Sequence, residues 1–237
     1  MPHSATPAAA ATPARRAPRR LWRRAAMLFL LGPLAVILAF RVLPVPATPL
    51  MLIRAVQGHG WQHDWVPYER IAPALARAVI ASEDNRFCEE PLGFDTLALG
   101  EQIAAWWDGE RPRGASTLTM QTAKNLLLWP GRDPVRKLLE AWLTPQIALL
   151  WPKRRVLEVY LNSVEFGPGL YGAEAAARAF FRKPAAELTA AEASQLAVVL
   201  PSPLTWSAAR PTPYLRERAA TIRHRVSTLG PLLDCAD

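Results

Sequence analysis

Two glutamates, Glu83 and Glu140, bracket a stretch whose side chains suit acid–base chemistry beside a bound anion. Small, hydroxyl, amide and basic residues lie between them. A carboxylate with a raised pKa is a good general base near neutral pH. Fixed cations stabilise negative charge that develops on a leaving group. The sequence therefore predicts a site that removes a proton next to an anionic group.

Helices must position these side chains, because apolar residues around them recur at helical spacing and no alternating run of useful length occurs. Pro73 suits the first turn of a helix that leads into Glu83. Thr117 begins a helix over 117–128, whose N-terminal amides would favour a nearby anion. Thr189 and Glu192 approximate a capping box at the start of another. We predict an all-α (mainly α) domain with further helices over 97–107, 135–150 (interrupted at Pro145), 153–161, 173–181, 190–200 and 214–229.

Positive charge is concentrated near the N-terminus. The net charge is +8, yet residues 1–63 hold eight arginines and no acidic residue, and residues 64–237 balance. Nucleic-acid binding requires a basic face on the folded domain. The global charge gives no support for one, so no nucleic-acid partner is predicted.

Residues 25–43 are predicted to form a transmembrane helix. The sixteen residues from Ala25 to Phe40 carry no charge, and with the next three they approach the roughly 17–25 residues that cross a bilayer. Arginines before the span place the N-terminus in the cytoplasm. A cleaved signal peptide fits less well, because proline crowds the cleavage site at 45–47. A buried soluble helix would not normally follow six arginines.

These features divide the chain into five predicted regions. They are a disordered basic cytoplasmic tail (1–24), the transmembrane helix (25–43), a linker or wrap segment (44–66), a folded domain (67–229) and a frayed tail (230–237). Cys88 and Cys235 are the two cysteines. We predict that they are unpaired because cysteine usage is low, although a disulfide would be allowed outside the cytoplasm.

Five sequence segments, taken together, resemble the peptidoglycan glycosyltransferases, the transglycosylases of glycosyltransferase family 51 that polymerise lipid II. Each segment alone is a weak signal, but their common order over about 95 residues is specific. The segments are residues 83–87 (EDNRF) with 93–95 (GFD), 114–121 (GASTLTMQ) with 124–125 (KN), 136–141 (RKLLEA), 153–162 (KRRVLEVYLN), and 165–167 (EFG) with 171–176 (YGAEAA).

The resemblance covers most of residues 65–225 and implies a lysozyme-like helical fold in a monofunctional form. It implies a single-pass protein of the bacterial inner membrane with a periplasmic catalytic domain. The implied reaction joins a sugar 4-hydroxyl to an anomeric carbon that bears a lipid diphosphate, with inversion to a β-1,4 linkage and release of undecaprenyl diphosphate. Lipid II, the growing lipid-linked glycan and the membrane are the implied partners, together with cell-division or elongation proteins.

The resemblance also assigns roles to residues. Glu83 would be the general base and Glu140 the second carboxylate, which supports the diphosphate and the charge at the sugar. Glu140 would lie beside Lys137, where it could orient that ammonium or bind a divalent cation such as Mg²⁺; no dedicated metal site is predicted. Asp84 suits a loop-shaping acceptor better than a base. The candidates for substrate binding are Asp84, Ser116, Thr117, Gln121, Lys124, Arg132 and Lys137.

Two departures from the family pattern leave other functions open. Glu90 stands where the family usually has a histidine, and Gly93 follows one residue late; Ala148 replaces a frequent glutamate. One alternative is therefore a catalytically impaired member that binds lipid II as a scaffold. The other is a lysozyme-like enzyme that cleaves glycan, which would have no need of a cationic cluster or an anchor.

Overall fold

A computed structural model describes residues 17–110, 116–131 and 133–236, except for the side chains of 17–21, 103 and 106. Within these residues the chain is mainly α-helical, which confirms the predicted fold class. The ten helices are α1 (Ala17–Phe40), α2 (Pro49–Val56), α3 (Pro73–Glu83), α4 (Thr96–Trp107), α5 (Leu118–Leu127), α6 (Pro134–Leu150), α7 (Lys153–Ser163), α8 (Ala173–Phe181), α9 (Ala190–Val199) and α10 (Pro213–Leu229).

Short strands and 3-10 turns connect the helices. In the described part of the chain, a small sheet has the order β1–β3–β2, with β1 parallel and β2 antiparallel to β3. The strands are β1 (Gln62–His63), β2 (Glu165–Gly167) and β3 (Leu170–Tyr171), and the 3-10 turns are Tyr68–Arg70, Phe87–Glu89, Ala185–Glu187 and Gly230–Ala236.

Local sequence signals explain where several helices begin. Thr117 caps α5, because its hydroxyl accepts a hydrogen bond from Met120 N. The predicted capping box is present at α9, where Thr189 and Glu192 bond reciprocally. Proline occupies the first turn of α2, α3, α6 and α10. Pro145 lies inside a continuous α6, so the predicted interruption there is wrong.

Helix α3 lies at the centre of the core and ends at the site. Its apolar side chains are buried and it packs against α9 and α10. Helix α5 packs against α6 and α7. The C-terminus of α3 meets α5, because Asp84 accepts from Leu118 N and Glu83 accepts from Gln121. This junction positions the candidate residues.

Helix α1 docks on the folded domain through its C-terminal half. The Trp151 indole donates a 2.8 Å hydrogen bond to the carbonyl oxygen of Ile37, and the Arg155 guanidinium donates to the carbonyl oxygens of Phe40 and Leu43. Its span Trp22–Phe40 has a mean hydropathy of 1.7, which is long and apolar enough to cross a membrane. This is compatible with the predicted single-pass anchor.

The described structure changes three of the predicted boundaries. Residues 17–24 belong to α1 rather than to a disordered tail, and residues 1–16 lie outside the described residues. The linker region contains the helix α2. The prediction of a frayed C-terminus is wrong for Gly230–Ala236, a 3-10 segment in which Leu233 and Ala236 are buried.

The prediction of unpaired cysteines is also wrong. Cys88 and Cys235 form a disulfide, with their Cα atoms 5.6 Å apart. The bond joins residues separated by 147 positions, so no local spacing in the sequence could indicate it. It ties the turn that follows Glu83 to the C-terminal segment.

The polar residues of α7 hold neighbouring segments of the fold together. Glu158 accepts a hydrogen bond from Tyr68 N and pairs with Arg155. The Asn162 side chain accepts from Val66 N and donates to the Val66 carbonyl oxygen. These bonds fasten the segment before α3 onto α7.

Candidate active site

Glu83 is the last residue of α3, and its half-buried carboxylate faces α5. Its Oε2 accepts a 3.1 Å hydrogen bond from the Gln121 amide nitrogen. Burial raises the pKa of Glu83, and the Gln121 hydrogen bond, Arg218 and Lys124 act in the opposite direction. A raised pKa is what a carboxylate needs to accept a proton near neutral pH.

Tyr160 fixes the orientation of the Gln121 amide. The Tyr160 hydroxyl is fully buried and donates to Gln121 Oε1 at 3.1 Å. Burial raises the pKa of this hydroxyl well above its ordinary value, so it stays protonated and remains a donor. Because the amide oxygen is held by Tyr160, the amide N–H is directed at Glu83. Tyr160 is not among the site residues predicted from the sequence.

Glu140 lies on α6 with both carboxylate oxygens bound to cations. Its Oε2 pairs with Arg136, and its Oε1 accepts from Lys137 Nζ at 2.6 Å. Lys137 Nζ also donates to Ser116 Oγ at 2.8 Å. Glu140 is 2% exposed and Arg136 8% exposed, whereas the Lys137 side chain is 44% exposed. Lys137 is therefore the cation of this group that a ligand can reach.

Arg136 is a member of this cluster that the sequence analysis did not name as a candidate. The signal was available, because Arg136 and Glu140 are four residues apart and so share one helix face. The buried guanidinium neutralises the buried carboxylate, which would be costly to leave alone. Arg136 thus offsets the cost of burying the Glu140 carboxylate.

Lys124 interacts electrostatically with both glutamates, Glu83 and Glu140. It is half-buried on α5. Burial lowers the pKa of Lys124; Arg136 and Lys137 act in the same direction, and the two glutamates oppose it. A desolvated ammonium at this point is placed to meet an anion.

Polar contacts connect Glu83 to Glu140 without a break. Gln121 joins Glu83 to Ser116, since its amide nitrogen is also 3.5 Å from the Ser116 carbonyl oxygen. Lys137 joins Ser116 to Glu140. Two cavities flank this network. One of ≈ 440 Å³ is lined by Glu83, Asp84, Ser116 and Thr117, and one of ≈ 510 Å³ is lined by Gln121, Lys124 and Arg136.

The N-terminal amides of α5 were predicted to favour a bound anion, but a side chain of the protein itself occupies this position. Asp84 is buried, and its Oδ2 accepts a 2.8 Å hydrogen bond from Leu118 N. The Thr117 hydroxyl is buried too; it caps Met120 N and donates to the Gly93 carbonyl oxygen at 2.6 Å. The anion at this helix start is therefore the carboxylate of Asp84, as expected of a loop-shaping acceptor.

Gly93 packs where no side chain fits. Its φ is +73°, and a Cβ there would come within 2.8 Å of Thr119 Cγ2 and 2.9 Å of Thr144 Cγ2. The loop after Glu83 is thus pressed between α5 and α6 despite its altered length. Arg132, a predicted substrate-binding residue, lies outside the described residues.

The possible metal position at Glu140 can be compared with the described donors. No group of three or more His, Cys, Asp or Glu side chains among the described residues is arranged to hold one. Both oxygens of Glu140, the carboxylate to which the sequence assigned a possible Mg²⁺, are engaged by Arg136 and Lys137. A metal at Glu140 would have to displace one of these cations.

Comparison with known proteins shows that the sequence of this chain matches one family. Residues 51–227 match the protein family described as Transglycosylase. A protein of Caulobacter vibrioides named biosynthetic peptidoglycan transglycosylase is 48% identical over 208 residues, which cover 88% of this chain and 90% of that protein. A Rhodospirillum centenum protein of the same name is 53% identical over 213 residues, covering 89% and 92%. One from Pseudomonas putida strain F1 is 49% identical over 220 residues, covering 90% and 92%.

Proposed function

The chain belongs to the transglycosylase family and is a peptidoglycan glycosyltransferase, and we propose that it polymerises lipid II into glycan strands at the outer face of the bacterial inner membrane. The observation that carries this proposal is the unbroken set of polar contacts that runs from Glu83 through Gln121, Ser116 and Lys137 to Glu140. One carboxylate can serve a proton transfer while the cations beside the other hold a diphosphate.

Glu83 is the proposed general base. The acceptor sugar places its 4-hydroxyl at the Glu83 carboxylate, which takes the proton as the hydroxyl oxygen attacks the anomeric carbon of the donor. The partly buried position and raised pKa of Glu83 support this role. The Gln121 amide, held by Tyr160, keeps the carboxylate in position to accept the proton.

The cations of α5 and α6 are the proposed binding site for the diphosphate. The bond from the anomeric carbon to the diphosphate oxygen breaks as the new bond forms, and the leaving group departs with the electron pair. Lys124 and Lys137 stabilise that charge, with Ser116 as a further hydrogen-bonding group. Displacement on the face opposite the diphosphate converts an α-linked donor into a β-1,4 product.

Glu140 is proposed to organise these cations rather than to transfer a proton. Its two oxygens hold Arg136 and Lys137 in fixed positions. Preorganised charges need no rearrangement when the transition state forms, which is where they contribute most. No step of this mechanism requires a metal ion.

The decisive experiment incubates the purified full-length protein with labelled lipid II. The proposal expects long glycan strands from the wild-type protein, and at least a ~100-fold lower rate from Glu83→Gln because the base is lost. Glu89→Gln is the matched control, since Glu89 is an exposed carboxylate that pairs with Arg86 in the same loop. Equal loss in both variants would point to a disturbed loop rather than to a lost base.

The same assay separates the alternative functions. Cleavage of preformed glycan strands without polymerisation would identify a lysozyme-like hydrolase. An inactive wild-type protein that still binds lipid II would identify a scaffold. The cationic cluster and the apolar helix α1 favour the polymerase over the hydrolase.

A further inference from the structure

Glu90 is a buried carboxyl group that the proposed mechanism does not use. It lies in the loop after Glu83, where the sequence departs from the family pattern. Glu90 follows the 3-10 turn Phe87–Glu89 and is 3% exposed. No described donor reaches either of its carboxylate oxygens. Its side chain lies within hydrogen-bonding range of the Asp84 carboxyl group, which is also buried.

Two carboxylates in this position cannot both be ionised without a large penalty. The charged groups that face Glu90 are Asp84 from the end of α3, Lys153 from α7 and Asp95 from the segment before α4. The Lys153 ammonium is occupied elsewhere: it donates to the carbonyl oxygen of Glu90 at 2.7 Å and lies over the Phe87 ring. A proton on one carboxyl group is therefore the simplest way to satisfy the pair.

We propose that Glu90 is a positioning residue that stays protonated and donates a hydrogen bond to Asp84, and so locks the proposed base Glu83 onto α5. Asp84 is the connecting group, because it follows Glu83 and accepts from Leu118 N at the first residue of α5. One turn further, α5 carries Gln121, which holds Glu83. The proton on Glu90 thus stabilises the hydrogen bond between Asp84 and Leu118 N, and this hydrogen bond sets the distance between Glu83 and Gln121.

The electrostatics of the site agree with this arrangement. The pKa of Glu90 is raised to about 8, mainly by burial and then by the neighbouring Asp84 and Asp95, while Lys153 acts in the opposite direction. Above that pH the two carboxylates repel each other, and the link from Asp84 to α5 weakens. The structure therefore predicts an alkaline limit to activity that comes from Glu90 and not from Glu83.

The proposal rests on the proposed role of Glu83, so its test uses one readout that depends on activity and one that does not. The first is the polymerisation rate of the full-length protein in detergent, measured with labelled lipid II from about pH 6 to 9.5. The second is the thermal unfolding midpoint of the same preparations over about pH 4 to 9.5. Wild type is compared with Glu90→Gln, whose amide donates to Asp84 at every pH.

The wild-type rate is expected to fall as the pH rises through about 8, whereas Glu90→Gln keeps its rate there and loses it at least about one pH unit later. The stability readout has its own sign. The folded protein retains a proton that the unfolded chain releases above pH 4.5, so the wild-type midpoint falls relative to Glu90→Gln between that pH and about 8.

Two controls keep the result interpretable. Glu89→Gln removes an exposed carboxylate one residue away and should leave both pH profiles unchanged. Glu90→His serves if Glu90→Gln does not fold, because a neutral imidazole also donates to Asp84 above its pKa. Identical alkaline limits in wild type and in the Glu90 variant that folds would overturn the proposal. If lipid II is not polymerised at all, the midpoint profiles still decide whether the pair shares a proton.

Discussion

The amide of Gln121 donates to Glu83 Oε2 at 3.1 Å while its oxygen accepts from the buried Tyr160 hydroxyl at the same distance. The Gln121 side chain on α5 therefore links the end of α3 to a buried side chain of α7. The proposed base is held by residues far apart in the sequence, and none of them is charged. Such a link can be tested without altering the charge of the site.

Tyr160→Phe removes the hydroxyl that orients the Gln121 amide. The amide can then rotate and present its oxygen to Glu83, so we expect polymerisation to fall about tenfold, which corresponds to the ~1.4 kcal/mol of one hydrogen bond. The measurement is kcat with labelled lipid II. Tyr68→Phe is the control, because it removes a buried hydroxyl that bonds the Ala236 carbonyl oxygen away from the site. Equal losses of kcat in the two variants would contradict an orienting role.

Arg218→Gln should shift the acid limit of activity to higher pH. Arg218 lies on α10, and its charge lowers the pKa of Glu83 against the raising effect of burial. A base acts only when it is deprotonated, so activity falls as the pH drops through the pKa of Glu83. Removing the charge raises that pKa and moves the fall upward, which a profile of kcat/KM against pH would reveal.

Arg225→Gln is the matched control for that profile. Arg225 lines the same cavity of ≈ 310 Å³ as Arg218, two turns further along α10, and is not among the main groups that shift the pKa of Glu83. Its profile should follow wild type. A shift of similar size in both variants would mean that the general charge of α10, rather than Arg218 itself, sets the acid limit.

Substitutions of Arg136 and Lys137 should have different effects, although both side chains bind Glu140. The first should lower stability, and the second should lower activity. Arg136→Met leaves Glu140 buried with half of its partners, and breaking a buried ion pair costs about 3–5 kcal/mol of unfolding free energy. Lys137 is 44% exposed, so Lys137→Met should cost at most about 1 kcal/mol. It should nevertheless lower kcat about 100-fold, because it removes a cation from the proposed diphosphate site.

Denaturant unfolding and polymerisation assays on the same two preparations test this contrast. The prediction fails if Lys137→Met loses as much stability as Arg136→Met. It also fails if Lys137→Met keeps full activity, since Lys137 would then not touch the leaving group.

Loss of the Cys88–Cys235 bond should loosen the loop behind the proposed base. The bond closes a long loop, and removing a native disulfide costs about 2–4 kcal/mol. We expect Cys88→Ala with Cys235→Ala to unfold at a lower temperature and to lose part of its activity, because residues 87–93 pack against Asp84 and α5. Reducing agent should reproduce both effects in wild type and change neither in the double variant.

Several helix starts and one neighbour pair could be predicted from the sequence because their signals are local. Pro73, Thr117 and the Thr189–Glu192 pair mark helix starts through bonds to residues within one turn. Glu140 and Lys137 were predicted neighbours because three residues separate them on one helix. These contacts depend only on the backbone geometry of a single element.

The remaining features depend on contacts that join distant parts of the chain. Cys88 meets Cys235 only because the C-terminal 3-10 segment returns to the turn after α3. Asp84 accepts from the N-terminal amide of α5, although 34 residues separate it from Leu118. Because this contact is not local, the N-terminal amides of α5 were predicted to bind a ligand instead. Such pairings follow from how the helices pack, which no spacing within one segment encodes.

Arg155→Met should detach helix α1 from the folded domain. The buried guanidinium donates to the carbonyl oxygens of Phe40 and Leu43, where α1 ends and its last carbonyls have no partner within the helix. Without it, the buried Val45 and Thr48 should become accessible, and limited proteolysis between α1 and α2 should be faster. Arg154→Met is the control, because Arg154 forms an exposed pair with Glu69 that contributes at most about 1 kcal/mol. Unchanged cleavage in Arg155→Met would show that Trp151 and the apolar contacts of α1 hold this helix on the domain without the guanidinium.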